Sequence, residues 1–504
     1  MEERTKRLAK NTIFLYVRMA LSMLVSLYTS RVVLEVLGFA DYGLYGVIGG
    51  LVSMFTFLNG AMSGATSRYI ALELSRKNLD KLRKLFSTLF FSHVFIAIFV
   101  VIIAESIGLW FLDNKLVIPP GQKDIAFWVY QISIITTVLG ITLVPYSAMI
   151  IAHENMRIYA YVGLAEVTFR LINVYLLMVL PGSKLLLWAI LVLIVQVSVN
   201  TFYRIYVRRK YEGSNLYFPK DKALYKEIFG YVGNDMIGNI SVLAQGQGLN
   251  ILLNMFFGPT VNAARNLAYT VQGTTQQFSS NFMTAVRPQI IKMHGEENDP
   301  GMLKLMKSTS RMGFYLLLII ALPILINIEY ILNIWLGKYP DFTIPFVRII
   351  LLISLIQTLK TPRTMVFHAL GKLRLVNVVV GSMLIMTFPI SYIILKWGAG
   401  PTSVFWISLI VILLTEIVSV WILKKYLNFN GSKYLLTVHA RCILLGIVSA
   451  MLPLYLKYKF PEQEFLQVFC NSVVCLISIG VSILSFGINR EERDKLVEMI
   501  KNKI

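Results

Sequence analysis

Cysteine is nearly absent from this chain. Its 504 residues include three, Cys442, Cys470 and Cys475. They have neither metal-ligand spacing nor a disulfide framework, and read as small apolar packing residues. The five histidines (His93, His153, His294, His368, His439) are scattered without paired spacing, which argues against a metal site. No GxxxxGK[ST] phosphate loop occurs, so the chain does not hydrolyse nucleotide by itself. Charge is sparse as well, at 15% of residues, too little for a soluble protein of this length. No outer loop exceeds about 15 residues on the reading below, which leaves little room for an extracytoplasmic catalytic domain.

What the chain has instead is long apolar runs. Hydrophobic residues make up 56%, and the mean hydropathy is +0.66. A spanning helix needs about 20 apolar residues. That rule yields an all-α polytopic membrane protein with fourteen spans, near 12–36, 43–66, 85–111, 126–151, 157–180, 185–204, 228–256, 262–287, 312–336, 343–369, 375–395, 402–423, 436–456 and 466–487. The first eleven residues read as a basic cytosolic lead, not a cleavable signal.

Basic residues orient the spans. Lys and Arg number 48 against 27 Asp and Glu, a net charge of +21. With the N-terminus in the cytosol, 36 of the 48 fall on the inner side, 7 outside and 5 within spans. This asymmetry predicts an even number of spans with both termini cytosolic. It also accounts for basic loops such as 204–226 through topology and anionic lipid, without nucleic acid.

One stretch is out of character. Residues 233–281 carry Asn234, Asp235, Asn239, Gln245, Gln247, Asn250, Asn262, Arg265, Asn266, Gln272, Gln276 and Gln277. Hydrocarbon cannot solvate these groups, so they are expected to face protein or a water-filled path. Two adjacent polar-faced spans in a helical array point to a transporter.

The chain also repeats itself. Pro145 to Arg157 (PYSAMIIAHENMR) resembles Pro362 to Arg374 (PRTMVFHALGKLR), with Pro and Arg at the same spacing and an offset of 217. Glu105 with Trp110 resembles Glu329 with Trp335, and Gly38 resembles Gly258. Six spans per copy is an even number, so the copies run in the same direction. The expected domains are a six-helix lobe over 1–211, a second over 212–430, related by a pseudo-two-fold along the membrane normal, and two added helices with a basic tail over 431–504.

The start, RLAKNTIFLYVRMALSMLVSLYTSRVVLEVLGFADYGLYGV, resembles bacterial polysaccharide (O-antigen or capsule, Wzx-like) flippases of the multidrug/oligosaccharidyl-lipid/polysaccharide (MOP) exporter superfamily. The turn Gly38 to Tyr45 is its most specific part. The resemblance implies two lobes that alternately open a central cavity. It implies a polyprenyl-pyrophosphate-linked oligosaccharide as cargo, moved from the inner to the outer leaflet of the bacterial cytoplasmic (inner) membrane. Expected partners are membrane lipid and that cargo, with a polysaccharide polymerase and chain-length machinery as further partners. No cofactor is expected beyond a coupling ion, Na⁺ or H⁺, and no enzymatic activity.

Charges inside spans are costly, so each needs a reason. Glu166 and Arg170 stand at i,i+4, as do Arg31 and Glu35, so each pair can share a helix face. Arg18 and Arg265 have no acidic residue at i±3 or i±4. They are candidates, with Arg31, for the pyrophosphate, because a guanidinium offers a planar fork of donors and stays charged. Interhelical contact is the competing role. Asn59, Asn239, Gln245, Asn250, Asn266, Gln272 and Gln276 are candidates to face the glycan, since amides both donate to and accept from hydroxyls. Asp235 is the candidate for ion coupling, or else pairs with an arginine. The glycines of span two serve close helix packing or a smooth wall for a sugar. Three other readings remain: a lipid-linked peptidoglycan precursor flippase, a drug/cation antiporter, and a membrane polysaccharide polymerase. The absence of a basic residue in span two before Arg68 weighs against the first.

Overall fold

The computed structural model describes the backbone of residues 2–76, 78–153, 155–219, 221–460 and 464–488; within it, the side chains of residues 2–19, 57–58, 60–61, 64–65, 75, 156, 231–237, 239, 281 and 284–285 lie outside the description. Arg18, Asp235 and Asn239 therefore lie outside the described residues.

Among the described residues the chain is helical and has no strand. The helices are α1 (Glu2–Met54), α2 (Phe57–Ser75), α3 (Leu79–Ile103), α4 (Leu109–Asn114), α5 (Lys123–Ala152), α6 (Met156–Val179), α7 (Lys184–Lys210) and α8 (Lys222–Phe257). They continue with α9 (Pro259–Gly295), α10 (Asp299–Leu336), α11 (Thr343–Ala369), α12 (Leu373–Lys396), α13 (Ser403–Tyr426), α14 (Gly431–Tyr434), α15 (Arg441–Lys459) and α16 (Phe465–Ser482). Among the described residues, twelve helical stretches are long and apolar enough to cross a membrane, against the fourteen expected. The difference lies at two places. Span two is joined to span one across a kink at Gly38, and the amide-rich α9 is not among the twelve. The protein is a multi-pass helical membrane protein.

Local sequence explains the breaks. Gly38 kinks α1 at φ 75°, ψ 171°, and Gly258 separates α8 from α9 at φ 80°, ψ 177°. Only glycine adopts this region without strain. Asn78, Ser183, Asp221, Asn298 and Asn430 each accept a backbone N–H of the helix that follows, satisfying donors that helix starts leave open. Pro145 and Pro362 do not end their helices. Each stands seven residues before the last residue, Ala152 or Ala369. Arg157 and Arg374 then occupy the second position of α6 and α12. The repeat noted in the sequence thus recurs as a repeat of local structure.

The chain divides into two compact units. The first holds residues 1–266 and 384–401, and the second 267–383 and 402–504. In the first, Phe86, Leu89, Tyr146 and Met149 centre one core. Leu44, Ile48, Val52, Tyr130 and Val174 centre another. In the second, Met306, Leu317, Leu359, Val366 and Leu445 are fully buried at the heart of one large core. Interiors of this kind are held by close packing, because lipid offers helices little hydrophobic drive to associate.

Candidate functional site

In the first unit the polar residues of α8 and α9 meet the glycines after the Gly38 kink. Gly43, Gly46 and Gly50 lie at i, i+3 and i+7, one helix face. A Cβ at Gly43 would collide with the Pro259 carbonyl, and one at Gly46 with the Asn266 amide. At Gly50 it would fall 2.5 Å from both Asn250 Nδ2 and Gln247 Oε1. For these three glycines, close packing is the observed role. Gly49 has open space around it.

Amides fasten this contact. Asn250 is fully buried. Its Nδ2 donates to the Gly46 carbonyl at 3.2 Å, and its Oδ1 accepts from Asn262 Nδ2 at 2.9 Å. Asn262 also donates to the Asn250 carbonyl at 2.6 Å. Arg265, 5% exposed, donates from Nη2 to the Gly246 carbonyl at 2.7 Å. Asn254 brackets Val117, accepting its N–H at 2.8 Å and donating to its carbonyl at 3.3 Å. Buried polar groups are hydrogen-bonded or costly, and here the bonds tie α8 to the glycine face of α1, to α9 and to Val117. Asn250 thus faces protein, and Asn266 lies half-buried beside Gly46.

Gly246, Gln247 and Gly248 do not unwind α8, which runs unbroken from Lys222 to Phe257. Gly248 makes room for the Phe388 ring. Gln245 donates to Thr387 Oγ1 at 3.5 Å, and Asn59 is half-buried. Arg31 and Glu35 are both exposed. Glu166 and Arg170 form the expected pair at 2.7 Å on an open face of α6.

In the second unit, Gln272 donates to Ser354 Oγ at 2.9 Å, and Gln276 to Gln357 Oε1 at 3.4 Å. Both partners are on α11. Glu416 Oε2 accepts from Arg363 Nη2 at 2.6 Å and lies 3.1 Å from His439 Nε2, all three buried. A second cluster joins Glu329 to Arg348 at 2.8 Å and to Lys457 at 2.6 Å.

Lys360 and Arg363 fall within α11, and buried Arg311 within α10. Helix geometry persists through Pro362. Sequence inspection missed Arg363–Glu416–His439 because its members are 53 and 23 residues apart. The available signal was that both Arg363 and Glu416 interrupt apolar segments.

The fold and these interiors define a polytopic helical membrane protein. The family described as "Polysaccharide biosynthesis protein" matches residues 8–294, more than half the chain, and the chain belongs to that family. Its structure is similar to that of the lipid II flippase MurJ in an inward closed conformation. The TM-score is 0.69 at 13% identity, covering 94% of this chain and 99% of that one. It is also similar to an inward-facing multidrug resistance MATE family transporter of the MOP superfamily, with TM-score 0.62 at 12% identity, covering 80% and 96%. A MOP superfamily transporter from Pyrococcus furiosus gives TM-score 0.59 at 14% identity, covering 81% and 94%. At these identities the likeness establishes a MOP-type fold. A search of curated proteins found no match.

Proposed function

We propose that this protein is a flippase for a polyprenyl-pyrophosphate-linked oligosaccharide. It moves its cargo from the inner to the outer leaflet of the bacterial cytoplasmic membrane by alternating access, for surface polysaccharide assembly. The family match carries this reading, because a polysaccharide biosynthesis protein with a MOP-type fold has a carrier's architecture and a glycan-building context. That a protein of similar fold is named for flipping lipid II supports a lipid-linked cargo.

In this reading Arg18, Arg31 and Arg265 serve the pyrophosphate, and the amides of α8 and α9 other than the sealed Asn250 and Asn262 serve the variable glycan. The diphosphate is constant, so fixed cations suit it; the glycan varies, so adaptable amides suit it. Arg265 is tied to the Gly246 carbonyl and meets cargo only after that contact opens. Asp235 is the proposed coupling residue, for Na⁺ or H⁺. Both termini are placed in the cytosol.

The test is reconstitution into liposomes with a fluorescent lipid-linked oligosaccharide and a membrane-impermeant quencher. Transfer of intact cargo between leaflets is expected. A new glycosidic bond, or no transfer above protein-free vesicles, would overturn the reading.

A further inference from the structure

A helix enclosed by its own lobe should leave little open, and α11 nearly follows that rule. From Ile353 to Phe367 every residue is buried except four: Gln357, Lys360, Thr361 and Thr364. Steps of three, four and seven from Gln357 put them on one face. All four are polar. A strip open to hydrocarbon would be apolar, so this one opens to a polar medium.

Its chemistry is ordered. The Gln357 Oε1 accepts from Gln276 Nε2, which leaves the Gln357 NH₂ group as a donor. One turn on is the Lys360 ammonium, which has no ion pair or hydrogen bond among the described residues. Glu416 and Arg363 lie within its electrostatic reach, but the Glu416 carboxylate is already paired with Arg363 at 2.6 Å. Thr361 Oγ1 donates to the Gln357 carbonyl and Thr364 Oγ1 to the Lys360 carbonyl, each at 3.3 Å. Both hydroxyl oxygens keep lone pairs for an incoming donor. Amide donor, cation and acceptors in sequence fit an anionic oxygen cluster flanked by hydroxyls.

We propose that this stripe, centred on Lys360, is a phosphate-binding surface of the second unit, taking the diphosphate of a lipid-linked sugar. It rests on the flippase reading above and adds to it a cation that no arginine of the first unit supplies. A phosphate held by Lys360 and the Gln357 amide gains charge-assisted bonds.

The experiment uses purified full-length protein in detergent micelles. Geranylgeranyl diphosphate is titrated against wild type, Lys360→Gln and Lys360→Arg, with geranylgeraniol as the uncharged control. Wild type should prefer the diphosphate. Lys360→Gln should weaken that binding about tenfold, the size of a lost hydrogen bond to a charged group, and Lys360→Arg should restore most of it. The ligand-free Lys360→Gln protein should melt no lower than wild type, because the substitution removes no ion pair or hydrogen bond seen among the described residues. Unchanged diphosphate binding in Lys360→Gln overturns this site and leaves the flippase reading standing. A lowered ligand-free melting temperature with equal loss in Lys360→Arg assigns the lysine to packing, and overturns it too. Wild type that binds diphosphate no better than the alcohol removes the diphosphate from the flippase reading, and the site with it.

Discussion

Gly38 and Gly258 adopt the same backbone conformation, φ/ψ of 75°/171° and 80°/177°, 220 residues apart. Each marks the junction between two helices, in a region that only glycine occupies without strain. No atom crowds a Cβ at Gly38, so a substitution there tests the backbone alone. Gly38→Ala is expected to cost about 1–3 kcal/mol, read as a lowered melting temperature in detergent. An unchanged melt would show that the kink relaxes.

The glycine face offers a contrast within one helix. Gly46→Val should destabilise by about 1–3 kcal/mol, because it drives a side chain into Asn266. Gly49→Ala meets open space and should be neutral, or stabilising by up to about 1 kcal/mol, since alanine favours helix. Thermal denaturation of the pair separates packing from propensity, and equal effects would refute the packing role.

Arg363 and Glu416 are each almost fully buried, so neither charge can be left alone. Arg363→Met or Glu416→Gln alone should cost about 3–5 kcal/mol, while replacing both by apolar residues should recover much of it. A double-mutant cycle measures this coupling. Additive losses would mean that the two do not act as a pair.

Asp221 gives a pH prediction outside the spans. It pairs with Lys84 at 2.6 Å and accepts the N–H groups of Ala223 and Leu224. Lys84, then the Leu224 N–H, hold its carboxyl below the usual range. A lowered folded value means that the stabilisation is complete above the unfolded value, about 3.9. It is lost as pH falls through the lower folded value. Asp221→Asn should therefore flatten this part of the acid melting profile. An identical profile in the variant would exclude Asp221 as a contributor.

Arg265→Ala should impair export of lipid-linked oligosaccharide while the protein still inserts, and Arg265→Lys should rescue only in part, because a point charge replaces a fork. Surface polysaccharide measured in cells carrying each variant checks this. Normal polysaccharide in Arg265→Ala would return the arginine to its structural bond with Gly246.

Features that depend on near neighbours were legible in the sequence alone. Apolar length marks the helices, glycine marks the two junctions, and i,i+4 spacing marks Glu166–Arg170. The shared spacing of Pro145–Arg157 and Pro362–Arg374 already announced that one helix–turn–helix segment occurs twice. Each follows from backbone geometry over a few residues, which composition and spacing encode directly. Only the tertiary structure decided which polar groups face protein. Asn250 and Gln276 look alike in sequence. One is sealed against Gly46 and Asn262, while the other borders the open stripe of α11. Arg363 and Lys360 are three residues apart in one helix, yet one is buried against Glu416 and the other is half-open. Those differences arise from helices that meet across long stretches of chain, and periodicity within a helix carries no record of its neighbours.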